Sequence, residues 1–290
     1  MAPEREWPQV RETVRPSHPL PVVEPALLNS AGSDTQWTNL GFWRDGPSYP
    51  EAARALARRV GEAAKLRTGD VVLDCACGHG DSLALWIREF GAARVIGVEP
   101  APAVVAIARK RIAAWGLADR VTILTATAES LVPERDCPGA TAIVCVDAAY
   151  HFHTRAAWLT RVAQGIPGKT RFGLADLLVS HRARRGTRLP ALALRAGIPD
   201  ENLWTADEVE PVLAECGIAL DRLVRCSGEV LGGFARHALL RTPLWLARPG
   251  VGGWRALGAA MAIAFAGGGL DYAIISAHAI EGGKPLVAAA

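Results

Sequence analysis

The feature that most constrains the fold of this chain is a regular alternation of short apolar runs and helical patterns between residues 71 and 176. Each apolar run is long enough for a strand, and the segments between the runs place apolar residues at helical spacing. The runs lie at 71–73, 94–98, 121–124, 142–146 and 170–175, and the helical patterns at 50–65, 81–90, 102–115 and 153–165. Such alternation predicts an α/β fold with parallel strands, right-handed crossovers and helices on both faces of the sheet.

Polar residues and glycines follow the first predicted strand. In VVLDCACGHG (71–80), Asp74 stands at the strand's end, and Gly78 and Gly80 lie in the following turn. Glycine lets the backbone approach a ligand closely, and open α/β sheets bind ligands at the carboxyl ends of their strands. The dinucleotide pattern GxGxxG is absent, and Asp81 at the next helix start would repel a phosphate. We therefore expect a cationic or zwitterionic ligand, with Glu99 after the second strand placed to accept hydrogen bonds from a ribose diol.

Three segments on consecutive strand–helix units, VVLDCACGHG, VIGVEP and ATAESL, resemble the class I S-adenosylmethionine (SAM) methyltransferases. The resemblance covers 37–226, and 270–280 fits the family's seventh strand. It implies a Rossmann-like fold with a seven-stranded, mostly parallel sheet and helical cap inserts, and it implies SAM as the cofactor. The cofactor contacts that the resemblance implies are Trp43, Asp74, Ala76, Gly78, Gly80, Glu99, Pro100, Thr127, Ala128, Glu129 and Asp147.

The family pattern assigns parts of SAM to some of these residues, and the chain departs from it twice. The position of Asp74 lies near the methionine part of SAM in the family, and the position of Glu99 grips the ribose hydroxyls. Ala76 replaces the first glycine of the usual Gly-x-Gly-x-Gly. Thr127 stands where an aspartate often begins the segment that flanks adenine, which puts the contact with the adenine amino group in question.

An aromatic stretch, QWTNLGFWRDG (36–46), precedes the first helix of the fold. It resembles the segment that covers the cofactor in small-molecule methyltransferases. We divide the chain into an arm or lid over 1–45 and a methyltransferase domain over 46–290. Trp37 and Phe42 are then candidate acceptor contacts that, with Trp43, exclude water from the transfer site, which methyl transfer from a sulfonium would favour. The alternative is that these aromatic residues anchor the arm to the core.

The fourth strand ends in VDAAYHFH (146–153), a segment that lies beside the transferred methyl group in the family. A histidine titrates near neutral pH and suits a general base. We predict His151 as this base and Tyr150, directly before it, as its catalytic partner. His153 and a merely capping or packing role for the histidines are the alternatives.

Two segments, 177–204 and 228–268, interrupt the strand–helix alternation and are predicted to be cap inserts that form the acceptor pocket. The second is apolar and carries Trp245 and Trp254, and the first carries His181, a further candidate acceptor contact. An apolar pocket favours a small aromatic acceptor. The chain also looks like the indole C3-methyltransferases of bacterial secondary metabolism, which form pyrroloindolines from tryptophan-derived substrates or cyclic dipeptides. The alternatives are O- or N-methylation of a sugar or polyketide, and a protein that binds SAM without turnover.

The composition of the chain limits the kinds of partner that the protein can have. The net charge is +3, from 32 basic and 29 acidic residues, which is not the charge of a nucleic-acid-binding protein. The six cysteines lack zinc-ligand spacing, so we expect no metal and reduced thiols in a cytoplasmic protein. The apolar segment 256–270 is too short to span a membrane, and its glycines weaken it as an isolated helix. We expect neither nucleic acid nor membrane as a partner; a homodimer stays open.

Overall fold

The computed structural model describes residues 25–29, 34–44, 48–240 and 251–281. Its seven strands are β1 (Val71–Cys75), β2 (Arg94–Glu99), β3 (Val121–Thr125), β4 (Ala142–Val146), β5 (Arg171–Val179), β6 (Ile218–Arg225) and β7 (Leu270–Ala279). The α-helices in these ranges are α1 (Pro25–Leu28), α2 (Tyr49–Ala63), α3 (Asp81–Phe90), α4 (Pro102–Ala114), α5 (Pro133–Asp136), α6 (Arg155–Gly165), α7 (His181–Arg185), α8 (Arg188–Arg195), α9 (Val209–Glu215), α10 (Gly233–Leu240) and α11 (Val251–Ala266).

The strands form a single sheet in the order β3-β2-β1-β4-β5-β7-β6. The pairs from β3 to β5 are parallel, and β7 runs antiparallel to both of its neighbours. Chain order reverses at β1, which lies between β2 and β4, and the carboxyl ends at such a switch point form a crevice. The predicted α/β class, with a seven-stranded and mostly parallel sheet, is confirmed.

The sheet separates two hydrophobic layers. Alternate residues of β1 belong to different layers, Val72 to one and Leu73 to the other, because successive side chains of a strand point to opposite faces. Helix α2 packs especially closely on β5. A Cβ built on Gly173 would lie 2.3 Å from the carbonyl oxygen of Val60, so a glycine at this position permits the approach.

Local sequence explains where several helices begin and end. The backbone N–H of Ser48 donates to Glu51 at 3.1 Å, so the first turn of α2 carries half of a capping box, and Pro50 stands within that turn. Helix α3 begins after Gly80 and ends before Gly91, both in the left-handed region. Glycine adopts this conformation at little cost, which explains both boundaries.

The strands at the centre of the sheet are longer than the sequence predicts. Strand β1 continues through Asp74 to Cys75, and β5 continues through Asp176 to Val179. Each carboxylate is buried and satisfied, Asp74 by Trp86 and Asp176 by Arg155. A buried acidic residue interrupts the apolar pattern without ending the strand, so the first insert starts after Val179 and not at residue 177.

Part of the predicted arm and inserts lies outside the described residues. This holds for 1–24, 30–33, 45–47 and 241–250, and so for Trp245. The described part of the second insert contains a π-helical turn, Gly228–Gly232, and helices α10 and α11. None of the helices in the described ranges is long and apolar enough to cross a membrane.

Candidate cofactor and acceptor site

A cavity of about 920 Å³ opens at the carboxyl ends of β1, β2 and β4. Its volume lies in the range typical of small-molecule sites. One end is formed by the loops after β1 and β2, and the other by the inserts. The predicted cofactor contacts in its wall are Ala76, Gly78, Glu99, Pro100, Thr127, Ala128, Glu129 and Asp147, and the wall also includes Tyr150, His151 and Trp37.

The loop after β1 has an unusual backbone. Ala76, Gly78 and Gly80 all have positive φ, at 69°, 52° and 88°. Only glycine adopts this region readily, and a residue with a Cβ loses roughly 1–2 kcal/mol there. The backbone N–H groups of Ala76 and Cys77 both donate to the carbonyl oxygen of Val98, at 2.9 and 3.0 Å, and these bonds hold the strained turn against β2.

Two residues predicted from the first motif lie behind this wall. Asp74 is buried and accepts a hydrogen bond of 2.7 Å from the indole nitrogen of Trp86. Burial raises the pKa of Asp74 to about 6, while hydrogen bonds from Ser82 and Trp86 lower it. A Cβ built on Gly80 would lie 3.5–3.7 Å from Ala108 and Ile112 of α4. Asp74 and Gly80 therefore support the loop from beneath.

Glu99 presents a carboxylate at the end of β2. It accepts a hydrogen bond of 3.0 Å from the backbone N–H of Ala101. Burial raises the pKa of Glu99, and backbone hydrogen bonds from Ala101 and Gly78 oppose the rise. The carboxylate lies in the cavity wall beside Pro100, where it can accept hydrogen bonds from a ligand diol.

Asp81, at the start of α3, does not present the unpaired negative charge on which the expectation of a cationic or zwitterionic ligand rested. Asp81 accepts two hydrogen bonds from Arg111, at 2.6 and 2.8 Å, so its charge is neutralised within the protein. Arg111 also donates to the carbonyl oxygens of His79 and Asp34, at 2.6 and 2.7 Å. This arginine lies on α4, and no local pattern in the sequence predicts its pairing with Asp81. It joins the loop after β1 to the arm segment at 34–44.

The segment after β3 forms the wall next to Glu99. Thr127 precedes a 3₁₀ turn, Ala128–Ser130, and all four residues lie in the cavity wall. The carboxylate of Glu129 accepts from the backbone N–H of His153 at 2.6 Å. Glu129 thus connects the segment after β3, which flanks adenine in the family pattern, to the segment after β4. The site is therefore continuous between the carboxyl ends of these two strands.

Asp147 is the meeting point of three elements. It has a positive φ of 58°. Its carboxylate accepts hydrogen bonds from the backbone N–H of Leu40 at 2.6 Å and from the hydroxyls of Tyr150 and Tyr272, at 2.9 and 2.7 Å. Burial raises the pKa of Asp147 to about 7, and these donors oppose the rise. Tyr272 was not predicted as a site residue, and its only signal in the sequence is its place in the strand predicted at 270–280.

His151 is held in one tautomer. Its Nδ1 lies 3.1 Å from the carbonyl oxygen of Gly197, in the first insert. A carbonyl only accepts, so Nδ1 carries the proton and Nε2 bears the lone pair. Burial lowers the pKa of His151, which favours the neutral ring at neutral pH. The ring of Tyr150 lies beside it, with centroids 4.4 Å apart.

The three aromatic residues of the arm have different positions. Trp37 is buried in the cavity wall. Phe42 is buried under the guanidinium of Arg59, 5.0 Å from the ring centroid, outside that wall. Trp43 also lies outside it: its ring packs against His237 at 4.7 Å, and its indole nitrogen donates to the carbonyl of Leu40. The geometry of Phe42 and Trp43 is that of anchors.

His181 lies apart from the central cavity. Its Nε2 is 2.9 Å from Asp207, and both side chains are exposed. The residue lines a separate cleft between α7, β6 and β7. His181 is therefore not part of the wall of the central cavity, where the predicted contact with the acceptor would place it.

The end of the cavity remote from Glu99 is apolar. Its wall comes from the end of β5, from α8 and the turn after it, from α11 and from the start of β7. The apolar side chains in this wall are Leu177, Val179, Leu189, Leu192, Ala193, Ala196, Ile198, Leu203, Ala260, Met261 and Leu270. Two of the segments that provide them belong to the predicted inserts.

His79 is a residue of the cavity wall that was not predicted from the sequence. It lies in the loop after β1 and contributes to the cavity wall. Its Nδ1 is buried without a hydrogen-bond partner among the described residues. Buried polar atoms are almost always paired, so an unpaired one in a cavity wall suits contact with a polar ligand. The signal was its place between two glycines.

Comparison with known proteins agrees with this geometry. The family model described as "Methyltransferase domain" matches residues 72–166. An erythromycin 3''-O-methyltransferase from Saccharopolyspora erythraea is 25% identical over 197 residues, 65% of this chain and 64% of that enzyme. The O-methyltransferase cnsE from Penicillium expansum is 27% identical over 212 residues, 70% of this chain and 74% of that protein. The chain thus spans just under two thirds of the length of the erythromycin enzyme.

A solved structure shares the fold. The geranyl diphosphate C-methyltransferase from Streptomyces coelicolor A3(2), in complex with Mg²⁺, geranyl diphosphate and S-adenosyl-L-homocysteine, aligns with a TM-score of 0.67 and 16% identity. The alignment covers 81% of each chain. Residues 72–166 therefore form a methyltransferase domain, and the sheet that contains it has the class I fold of SAM-dependent methyltransferases. The chain carries this domain, its cofactor is SAM, and the two relatives named above are O-methyltransferases.

Proposed function

We propose that the whole protein transfers the methyl group of SAM to a small, largely apolar aromatic acceptor, with His151 as the general base. One observation carries this proposal. A single cavity joins the Gly78 and Glu99 end to an apolar wall, and a neutral histidine with a fixed tautomer lies between them.

The residues at the cofactor end fit SAM. Glu99 offers a carboxylate to the ribose hydroxyls, and the loop from Ala76 to Gly80 lets the backbone approach a ligand. The unpaired Nδ1 of His79 suits the charged groups of the methionine part. When bound, SAM supplies an electrophilic methyl group on a sulfonium. The protein therefore has to orient the acceptor, exclude water and accept a proton.

His151 meets the last requirement. Because Gly197 holds the proton on Nδ1, Nε2 can take a proton from the acceptor, and the same carbonyl then stabilises the charged ring. Tyr150 is held by Asp147, and burial raises the pKa of its hydroxyl well above its ordinary value. We therefore assign orientation of the acceptor and of His151 to Tyr150. The segment from Gln36 to Leu40, with Trp37, excludes water from the cavity as part of the lid.

For the acceptor we propose an indole methylated at C3, as in pyrroloindoline formation from tryptophan-derived substrates. The apolar wall supports an aromatic ring, and one base suffices to take the proton from the indole nitrogen or from the closing amide. The names of the two relatives support the second candidate, O-methylation of a sugar or polyketide hydroxyl in secondary metabolism. That reaction would use the same base.

Incubation with SAM labelled in the methyl group tests both candidates. The acceptor panel contains indoles, including tryptophan cyclic dipeptides, together with phenols and hydroxylated sugars of matched size. Mass spectrometry and NMR of the products locate the methyl group. A C3-methylated pyrroloindoline supports the first candidate, and an O-methyl product replaces it with the second. Binding of SAM without transfer to any member of the panel would favour the protein that binds SAM without turnover.

A further inference from the structure

The segment that carries Tyr150 and His151 is clamped by a residue from the first insert. Asn202 is fully buried, and its side-chain amide donates to the carbonyl oxygens of Tyr150 at 3.1 Å and Phe152 at 2.6 Å. Its side-chain oxygen accepts from the backbone N–H of Arg155 at 2.8 Å. One side chain thus uses both amide protons and its oxygen on the short stretch from Tyr150 to Arg155.

The same stretch is fixed from its other side. Arg155 forms a buried ion pair with Asp176 on β5, and its guanidinium also donates to the backbone carbonyl of Asn202. The guanidinium lies 3.8 Å from the ring centroid of Trp204. Arg155 thus links β5, the 150–155 segment and the insert around Asn202 into one connected unit, and breaking its buried ion pair would be costly.

The imidazole of His151 is oriented by this unit as well. Gly197, whose carbonyl holds Nδ1, lies five residues before Asn202 in the turn that leads out of α8. Asn202 fixes the backbone on both sides of His151, at Tyr150 and Phe152. Asn202 is absent from the cavity wall, although its neighbour Leu203 is part of it. Any effect of Asn202 on the acceptor must therefore pass through other residues.

We propose that Asn202 is a positioning residue that keeps the ring of His151 at the carbonyl of Gly197 and aims its Nε2 at the acceptor. This inference rests on the proposed role of His151 as the base. In the absence of the clamp, the 150–152 turn loses two of its hydrogen bonds and the ring can leave Gly197. The base is then misplaced, while the cofactor loops after β1 and β2 keep their own supports.

The first test combines Asn202→Ala, His151→Ala and the double variant. We expect Asn202→Ala to bind SAM as the wild type does by calorimetry and to lower kcat by about 10–100-fold with a smaller change in KM for the acceptor. If Asn202 acts through His151, the double variant is no slower than His151→Ala, because groups that act as a unit are not additive. Asn202→Ser keeps one donor and should recover part of the rate.

A second test needs no turnover. The ¹⁵N chemical shifts of His151 report which nitrogen carries the proton. The wild type should show the Nδ1–H form, and Asn202→Ser or Asn202→Ala should show a mixture of tautomers. Thr170→Val is the matched control, since Thr170 is a buried donor to the carbonyls of Ala140 and Pro167 at the opposite end of the sheet. It should lower stability and leave the His151 tautomer and kcat unchanged.

The outcomes separate the two proposals. If His151→Ala keeps wild-type turnover, His151 is not the base and the function proposed for it fails. If His151→Ala is slow but the effects of the two single variants multiply in the double variant, or if the His151 shifts do not change in Asn202→Ser, the base stands and the role of Asn202 is overturned. If Asn202→Ala does not fold, Asn202→Ser replaces it. The ¹⁵N chemical shifts of His151 in that variant then test the role of Asn202.

Discussion

The two ends of the cavity are built in different ways. At the cofactor end, Ala76, Gly78, Glu99 and Thr127 each lie within a few residues of a strand's carboxyl end. At the acceptor end, the wall comes from β5, α8, α11 and β7, which are far apart in the chain. Hydrogen bonds that Asp147 accepts and that Asn202 donates hold this end together. The comparison suggests that substitutions can separate SAM affinity from turnover.

The largest expected effect is at the acceptor end. His151→Ala should lower turnover by about 10²–10⁴-fold, the usual contribution of a positioned general base. Its dissociation constant for SAM, measured by calorimetry, should stay at the wild-type value. The control is His278→Ala. It removes a histidine of β7 that is paired with Asp221 of β6. Weaker SAM binding by His151→Ala would contradict the separation of the two ends.

Asp147 joins the two ends and should make stability depend on pH. Its pKa of about 7 in the folded protein, raised by burial, compares with about 3.9 for an unfolded aspartate. The folded state therefore holds the proton more tightly between these values. Stability from this group is complete below pH ~4 and is lost as the pH rises through about 7, by about 1.4 kcal/mol for each pKa unit.

The measurement compares the wild type with Asp147→Asn. Urea unfolding from pH 4 to 8 gives the free energy of unfolding of each protein. We expect the wild type to lose stability relative to the variant as the pH rises through this window. Parallel curves would show that the three donors around Asp147 keep its pKa near the unfolded value, and the carboxylate would then be charged at neutral pH.

At the cofactor end, the expected effect is on binding. Glu99→Ala should weaken SAM binding by at least tenfold, because hydrogen bonds to a charged group contribute about 1.5–3 kcal/mol. Calorimetry measures the change, and the exposed Glu215 on α9 provides a control, Glu215→Ala, that should bind SAM normally. An unchanged dissociation constant for Glu99→Ala would remove this carboxylate from the proposed cofactor contacts.

The smallest expected effect is on stability. Ala76→Gly removes a Cβ from a residue with φ of 69°, which relieves roughly 1–2 kcal/mol of strain. A more flexible unfolded chain offsets about 0.4–1 kcal/mol of this gain. We therefore expect a rise in Tm of a few degrees at most. Ala113→Gly, on the exposed face of α4, should lower Tm instead. A fall in Tm for Ala76→Gly would mean that the Cβ stabilises the loop.

The cofactor end could be predicted largely from local sequence. Eight of the eleven predicted contacts lie in the cavity wall. A motif that directly follows a parallel strand lies at the carboxyl-end edge of the sheet, which is where ligands bind in such sheets. Asp74 and Gly80 belong to the same motif but face α3 and α4. Which way a side chain turns at the end of a strand depends on the helix packed against it, and the motif does not contain that helix.

The acceptor end could be predicted only in outline. The segment from Asp147 to His151 was recognised because it follows β4, and the inserts were recognised because they interrupt the alternation. Of the aromatic residues in the arm, Trp37 lies in the wall, whereas Phe42 and Trp43 pack elsewhere. His181 pairs with Asp207 in another cleft. The same residue types suit both a pocket and a core, so the pattern alone left these alternatives open.

The sequence by itself determined the α/β class, the alternation of strands and helices over 71–176 and the carboxyl-end location of the site, and its resemblance to the class I methyltransferases implied SAM as the cofactor. These follow from apolar periodicity and from short motifs whose members are adjacent in the chain. Only the tertiary structure decided that Asp81 is neutralised by Arg111, that Tyr272 and Leu40 meet at Asp147, and that Asn202 and Gly197 hold the turn of His151. Each of these contacts joins residues between 30 and 125 positions apart. Such pairs are set by strand register and helix packing, and no local pattern in the chain encodes them.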